Sequence, residues 1–179
     1  MRSTRWLDPK LLALGIIAFA LITLVRLELA FDFLESGLVG ALLLLVTLIA
    51  LVLLGFGAIR KSRPLVIVST YLLVGMLSSV VFSSAILDIQ ERRSFARGDQ
   101  IAAALASFHD VAARYPNSLS ELVPAHLERV PATSMGVFRR IEFSYSADPS
   151  GADYGLGFPA PAFIYCRRTA SRSEWVCRD

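Results

Sequence analysis

Charge is what the first half of this sequence lacks. Positions 36–59 and 64–87 are two runs of 24 residues without a single Lys, Arg, Asp or Glu, and Leu11 to Val25 is a third uncharged run. No Asp, Glu, Lys or His stands near the centre of any of them, which argues against an ion or proton pathway. Histidine and cysteine are equally scarce, with two of each. His109 and His126 stand far apart from Cys166 and Cys177, and there is no second cysteine pair to complete a zinc tetrad. No Gly-rich phosphate loop, Cys/His/Asp triad or helical metal motif is present. Paired acids suited to hydrolysis are not evident either. The sequence therefore assigns no catalytic, cofactor-binding or metal-ligating residue, and the expectation is a non-enzyme without cofactor. A concentrated basic patch is missing too. From Ile89 onward there are 11 Lys/Arg against 10 Asp/Glu, so the net charge of +3 gives no nucleic-acid footprint.

What is present is apolar. Of the 179 residues 55% are hydrophobic, and the mean hydropathy is +0.57. That balance points to membrane spans and makes the lipid bilayer the first partner. Residues 1–88 read as a three-span anchor, with spans at about 10–30, 37–59 and 64–88. Asp8-Pro9 suits a helix start. Arg26 is expected to snorkel at the far end of the first span, with an intramembrane Arg26/Glu28 pair as the alternative. The short basic turn Arg60-Lys61-Ser62-Arg63 separates the second and third spans. By the positive-inside rule this turn and the amino terminus face the cytoplasm, six Lys/Arg against four. Arg92, Arg93 and Arg97 pull the other way. Three spans then place the carboxyl-terminal domain outside, periplasmic or extracellular, on a bacterial inner membrane. In the third span Gly75, Ser79 and Ser83 recur every four residues, the small-xxx-small spacing of a helix-packing face.

Residues 89–179 read as one extracytoplasmic α+β domain. Ile101, Leu105, Phe108, Ala112 and Tyr115 share a helix face, with Asp99 as cap and Pro116 as stop. Gly98 either breaks the helix that began at Pro64 or merely weakens it. Ser118 and Glu121 have capping-box spacing, which predicts a second short helix from Leu119, its Leu119, Leu122, Val123 and Leu127 facing the core. Ile141, Phe143 and Tyr145 alternate as a half-buried strand, and Tyr154, Leu156 and Phe158 as another, ended by Pro159 and Pro161. Phe163–Thr169 and Glu174–Cys177 form a last hairpin. Its four-residue loop sets Cys166 opposite Cys177, which predicts a disulfide and an oxidising compartment. Asp148 and Asp153 flank a turn and fall short of the oxygens calcium needs. Trp175 and Tyr165 either form a binding surface or cover the sheet.

The run from Asp99 to Pro131 has an amphipathic helix, then Tyr115-Pro116-x-Ser118-Leu119-x-x-Leu122-Val123-Pro124, then Leu127 and Val130-Pro131. With Tyr154-Gly155-Leu156, it resembles the soluble part of type IV pilin-like proteins, most of all the major pseudopilin of type II secretion. The resemblance covers roughly residues 90–179 and implies a long helix packed on a small antiparallel sheet. It does not extend to the prepilin leader motif, and Pro64 to Tyr115 is preceded by two further spans. The expectation is a fixed stalk rather than a filament subunit. The functional expectation is a membrane protein that displays a pilin-like protein-interaction module, accessory to a secretion or pilus-type envelope machine, with a membrane or envelope protein as partner. The alternatives are a membrane-anchored sensor that binds a ligand, and a membrane enzyme.

Overall fold

A computed structural model describes residues 9–29, 33–161 and 164–178. Asp8 and Phe163, named above at a helix start and a strand start, lie outside them. The chain forms two compact units, Met1–Ile86 and Leu87–Asp179, divided inside a helix.

The first unit is helical. α1 spans Pro9–Leu29, α2 Phe33–Ile59, and α3 begins at Arg63. Two of these helices, α2 over Gly40–Ile59 and α3, are long and apolar enough to cross a membrane. Many of their large apolar side chains are exposed, among them Val52, Leu77 and Val81. In water that surface would be unstable, and it is the surface a lipid phase accepts. The turn between α2 and α3 closes with Arg60 N–H donating to Phe56 O and Ser62 N–H to Gly57 O. Lys61 takes φ 54° there.

The second unit begins on α3, which continues to Ala112 without a break. A four-residue 3-10 turn follows at Leu119–Leu122. Then comes an antiparallel meander in the order β1-β2-β3-β4: β1 Ser144–Ala147, β2 Tyr154–Pro159, β3 Tyr165–Thr169, β4 Val176–Arg178. This is an α+β arrangement with a long helix packed on a small four-stranded sheet. Its core is Ile101 and Leu105 from α3, Leu122 from the turn, and Leu156 and Phe158 from β2, all fully buried. Phe95 and Phe143 meet Phe158 edge to face, with ring centroids 5.2 and 5.5 Å away.

Several expectations are corrected. The helix ends at Ala112 rather than Tyr115, because Ala113 turns to φ 54° while its N–H still bonds His109 O. Ala112 is consequently exposed, and the buried stripe extends the other way, through Ser94 and Gly98. Asp99 is not a cap but a mid-helix residue. The helix expected from Leu119 is a single turn, and its Ser118 side chain makes no capping bond. Glu121 instead accepts from Asn117 N–H at 2.9 Å. Val123 is 36% exposed, so only Leu122 of the expected face is fully buried. The first strand starts at Ser144, not Ile141, since Ile141 O is taken by Thr133 through both its N–H and its hydroxyl. Pro159 does not end the pairing; it sits opposite Tyr165, and Ala160 N–H donating to Ile164 O closes the hairpin.

Candidate functional site

At Gly98 the helix passes close against Trp175 and Phe143. A Cβ there would lie 2.4 Å from Cζ2 of Trp175 and 3.2 Å from Cε1 of Phe143. Glycine thus neither breaks nor hinges the helix; it makes room for an indole. Trp175 is held by three groups. Its ring meets Phe95 at 5.6 Å and Phe158 at 5.4 Å, and its Nε1–H donates to Asp99 Oδ1 at 2.9 Å. The same carboxylate oxygen accepts from Arg168 on β3 at 2.5 Å. Asp99 therefore ties α3 to β3 and to the residue just before β4. Trp175 covers the sheet. Tyr165, 42% exposed, lies over Gly157, its hydroxyl against Ser144 Oγ.

Cys166 and Cys177 face each other across β3 and β4, bonded, with Cα atoms 4.0 Å apart. The Asp153 carboxylate receives the N–H groups of Ala170 and Ser171 and the Ser171 hydroxyl, joining the β1–β2 turn to the β3–β4 loop. Burial raises its pKa, but the bonds from Tyr154 N–H, the Ser171 hydroxyl and the Ala170 and Ser171 amides outweigh that and hold it below the usual value. Asp148 accepts from Ser150 N–H at 3.1 Å and from the Ser150 hydroxyl. Both acids are occupied by loop chemistry. Among the described residues no group of three or more His, Cys, Asp or Glu could hold a metal. His109 stacks on Tyr115 at 4.5 Å, while His126 meets Phe108 at 5.7 Å and shares a hydrogen bond with Ser107. The structure gives the two histidines different partners.

In the first unit Ser79 and Ser83 are fully buried. Ser79 Oγ bonds Thr23 Oγ1 of α1 at 2.9 Å, and Thr47 of α2 donates to Met76 Sδ at 3.5 Å. These two serines therefore pack within this chain's own helices. Gly75 instead borders an apolar cavity of about 120 Å³ with Phe19 and Met76.

The second unit also carries a concave surface. The segment Val130–Ala132 runs as a ridge pinned by Arg97, whose Nη1 donates to Ala132 O and Thr133 O at 3.0 and 2.9 Å. Ser94 Oγ accepts from Ser134 N–H just beyond. On one side lies a groove of about 500 Å³ edged by Arg97, Gln100, Glu128, Arg129 and Arg140. On the other lies one of about 450 Å³ edged by Asn117, Ser118, Ser120, Glu142 and Tyr145, which also reaches Arg140. Tyr145 donates its hydroxyl to Pro116 O at 2.6 Å, which closes the far wall. Burial first, and then Glu121, push its pKa up to about 12. Three arginines against one glutamate make the first groove cationic. Its residues come from a helix, a loop and the approach to β1, so no sequence spacing announces it. Comparison with family models, curated proteins and solved structures gives no match for this chain.

Proposed function

We propose that this chain is a membrane-anchored protein-interaction module. In this reading α1, α2 and α3 are three spans, the amino terminus and the Arg60–Arg63 turn face the cytoplasm, and the α+β domain stands outside a bacterial inner membrane. The domain is read as pilin-like, presented to a membrane or envelope protein, in the manner of an accessory to a secretion or pilus-type machine. One observation supports this most. α3 is a single helix from Arg63 to Ala112, apolar at one end, with the sheet packed on its other end through Gly98 and the Asp99 bonds. A helix of that kind runs from the apolar stretch into the core of the α+β domain. The paired cysteines support an oxidising compartment.

The double groove about Val130–Ala132 is the surface proposed to receive the partner. A photo-crosslinking amino acid placed at Ser118 or Arg129 in native membranes tests it. The reading expects a discrete adduct with one other protein. Adducts to lipid or water alone would contradict it. A second reading rests on the cationic groove itself: Arg97, Arg129 and Arg140 would suit a small anionic ligand of a sensor domain. Saturable stabilisation of the purified full chain by a small anion, without a protein adduct, would favour that reading over the first.

A further inference from the structure

β1 is the first strand in the order β1-β2-β3-β4, so only one of its sides is paired. The ladder shows which backbone groups face the other side. Asp148 N–H donates to Asp153 O at 2.9 Å, just beyond the last pair of the β1–β2 register. Bonded and non-bonded pairs alternate along an antiparallel ladder. Ser146↔Gly155 and Ser144↔Gly157 are therefore the bonded pairs, and Tyr145 and Ala147 turn their N–H and C=O groups outward. Among the described residues nothing bonds to these groups. Upstream, Ile141 O is taken by the N–H and the hydroxyl of Thr133, so the ridge closes the run on that side. Proteins usually blunt such an edge with lysine, proline or a bulge. Ser144-Tyr145-Ser146-Ala147 has none of these, and its register is continuous.

The groove of about 450 Å³ opens beside this edge, since Glu142, Phe143 and Tyr145 line it. Arg140 lines it too. Arg140 and Glu142 are exposed, and among the described residues neither has an ion-pair partner. Resting on the reading of this domain as a protein-interaction module, we propose that an extended segment of the partner protein adds to the sheet as a further strand beside β1. Antiparallel addition, the stabler pairing, exchanges backbone bonds with Tyr145 and Ala147 and carries the carboxyl end of the segment toward Arg140. The register sets its side chains. Tyr145 and Ala147 stand opposite the buried Leu156 and Tyr154 on the inner face, which calls for apolar residues there. Ser144 and Ser146 are exposed on the outer face, which calls for hydroxyls beside them. Past β1, a basic side chain answers Glu142 and an acidic one answers Arg140. The partner segment is thus a run of alternating apolar and hydroxyl residues, followed by a base and then an acid.

The test uses the full chain in detergent micelles and a synthetic probe, the capped peptide Val-Thr-Val-Thr-Val-Lys-Gly-Glu. Residue-resolved hydrogen exchange follows the amides of β1. Without peptide, Tyr145 and Ala147 should exchange freely while Ser144 and Ser146 are protected. Saturating peptide should slow Tyr145 and Ala147 by about tenfold or more and leave Ser144 and Ser146 as they were. Methylating the backbone nitrogens of the first two valines of the peptide should abolish the effect, and Arg140→Gln should weaken binding severalfold. Tyr145 and Ala147 amides already protected in the free chain would overturn the open edge. Protection of both that grows with the concentration of the chain alone would make the occupant a second copy and overturn the proposal. So would a peptide that fails to bind, one that binds without protecting the two amides, or a methylated peptide that protects them equally well. Unchanged affinity in Arg140→Gln would overturn the role given to that side chain. A photo-crosslinking residue at Ser146, beside those at Ser118 and Arg129 in native membranes, separates this inference from the reading beneath it. Adducts with one protein at Ser118 or Arg129 but none at Ser146 overturn strand addition and spare the interaction module. No protein adduct at any of the three overturns both.

Discussion

Replacing Gly98 by alanine sets two effects of opposite sign against each other. In a helix interior alanine is favoured over glycine by about 0.8–1.0 kcal/mol. A Cβ at this position, however, would lie 2.4 and 2.8 Å from two atoms of the Trp175 ring. Both distances are far inside van der Waals contact, so the indole must move. It is boxed by Phe95 and Phe158 and tied to Asp99 at 2.9 Å. Overpacking of this kind costs about 1–3 kcal/mol. Losing the bond to the half-exposed carboxylate adds up to about 1 kcal/mol where the ring cannot keep it. The clash should win, and Gly98→Ala should lose about 1–3 kcal/mol net. Denaturant unfolding of the full chain in detergent, followed by Trp175 fluorescence and circular dichroism, measures it. The Trp175→Ala background provides the control, because the ring that collides is gone. There Gly98→Ala should be neutral or stabilising by up to about 1 kcal/mol. A Gly98→Ala variant more stable than the parent with Trp175 in place would refute the close approach and restore Gly98 as an ordinary weak point of the helix.

Two further outcomes follow from the same contacts. Asp99→Ala removes the acceptor shared by Trp175 and Arg168, and among the described residues Arg168 Nε is already buried without a partner. With Asp99 itself 54% exposed, the loss should sit near the low end of 1–3 kcal/mol, about 1 kcal/mol, in the same unfolding assay. Tyr145 has a raised folded pKa of about 12 against 10.0, so its stabilising share is complete below pH 10 and disappears as pH climbs through 12. Burial raises Tyr154 and Tyr115 as well, in the same direction. Tyr145→Phe should cost about 1 kcal/mol at neutral pH and make stability fall less steeply between pH 10 and 12. An unchanged alkaline slope would show that the titration of Tyr145 does not govern it.

The sequence carries its local information well. The 24-residue gaps in charge lie within α2 and α3, and the alternation of Tyr154, Leu156 and Phe158 marks the central strand. The antiparallel register of the last hairpin was enough to set Cys166 against Cys177, although β4 starts at Val176 rather than Glu174 and six residues, not four, separate the strands. Information that depends on distant partners was not legible. Asp99 looks like a cap because Gly98 precedes it; only the hairpin some 70 residues later, with Arg168 and Trp175, turns it into a clamp. Ile141 alternates as a strand should, yet Thr133 claims its carbonyl and delays β1. The grooves depend on a ridge held by Arg97 through backbone oxygens, and any residue offers those.

The central claim is that α3 carries this domain out of the cytoplasm with its cysteines joined. Spheroplasts treated with a membrane-impermeant maleimide, with and without reductant, test it most directly. The account predicts no labelling of Cys166 or Cys177 before reduction, and labelling of both from outside intact spheroplasts after it. Labelling without reductant, and only once the membrane is opened, would place free thiols in the cytoplasm and contradict the pairing and the orientation together.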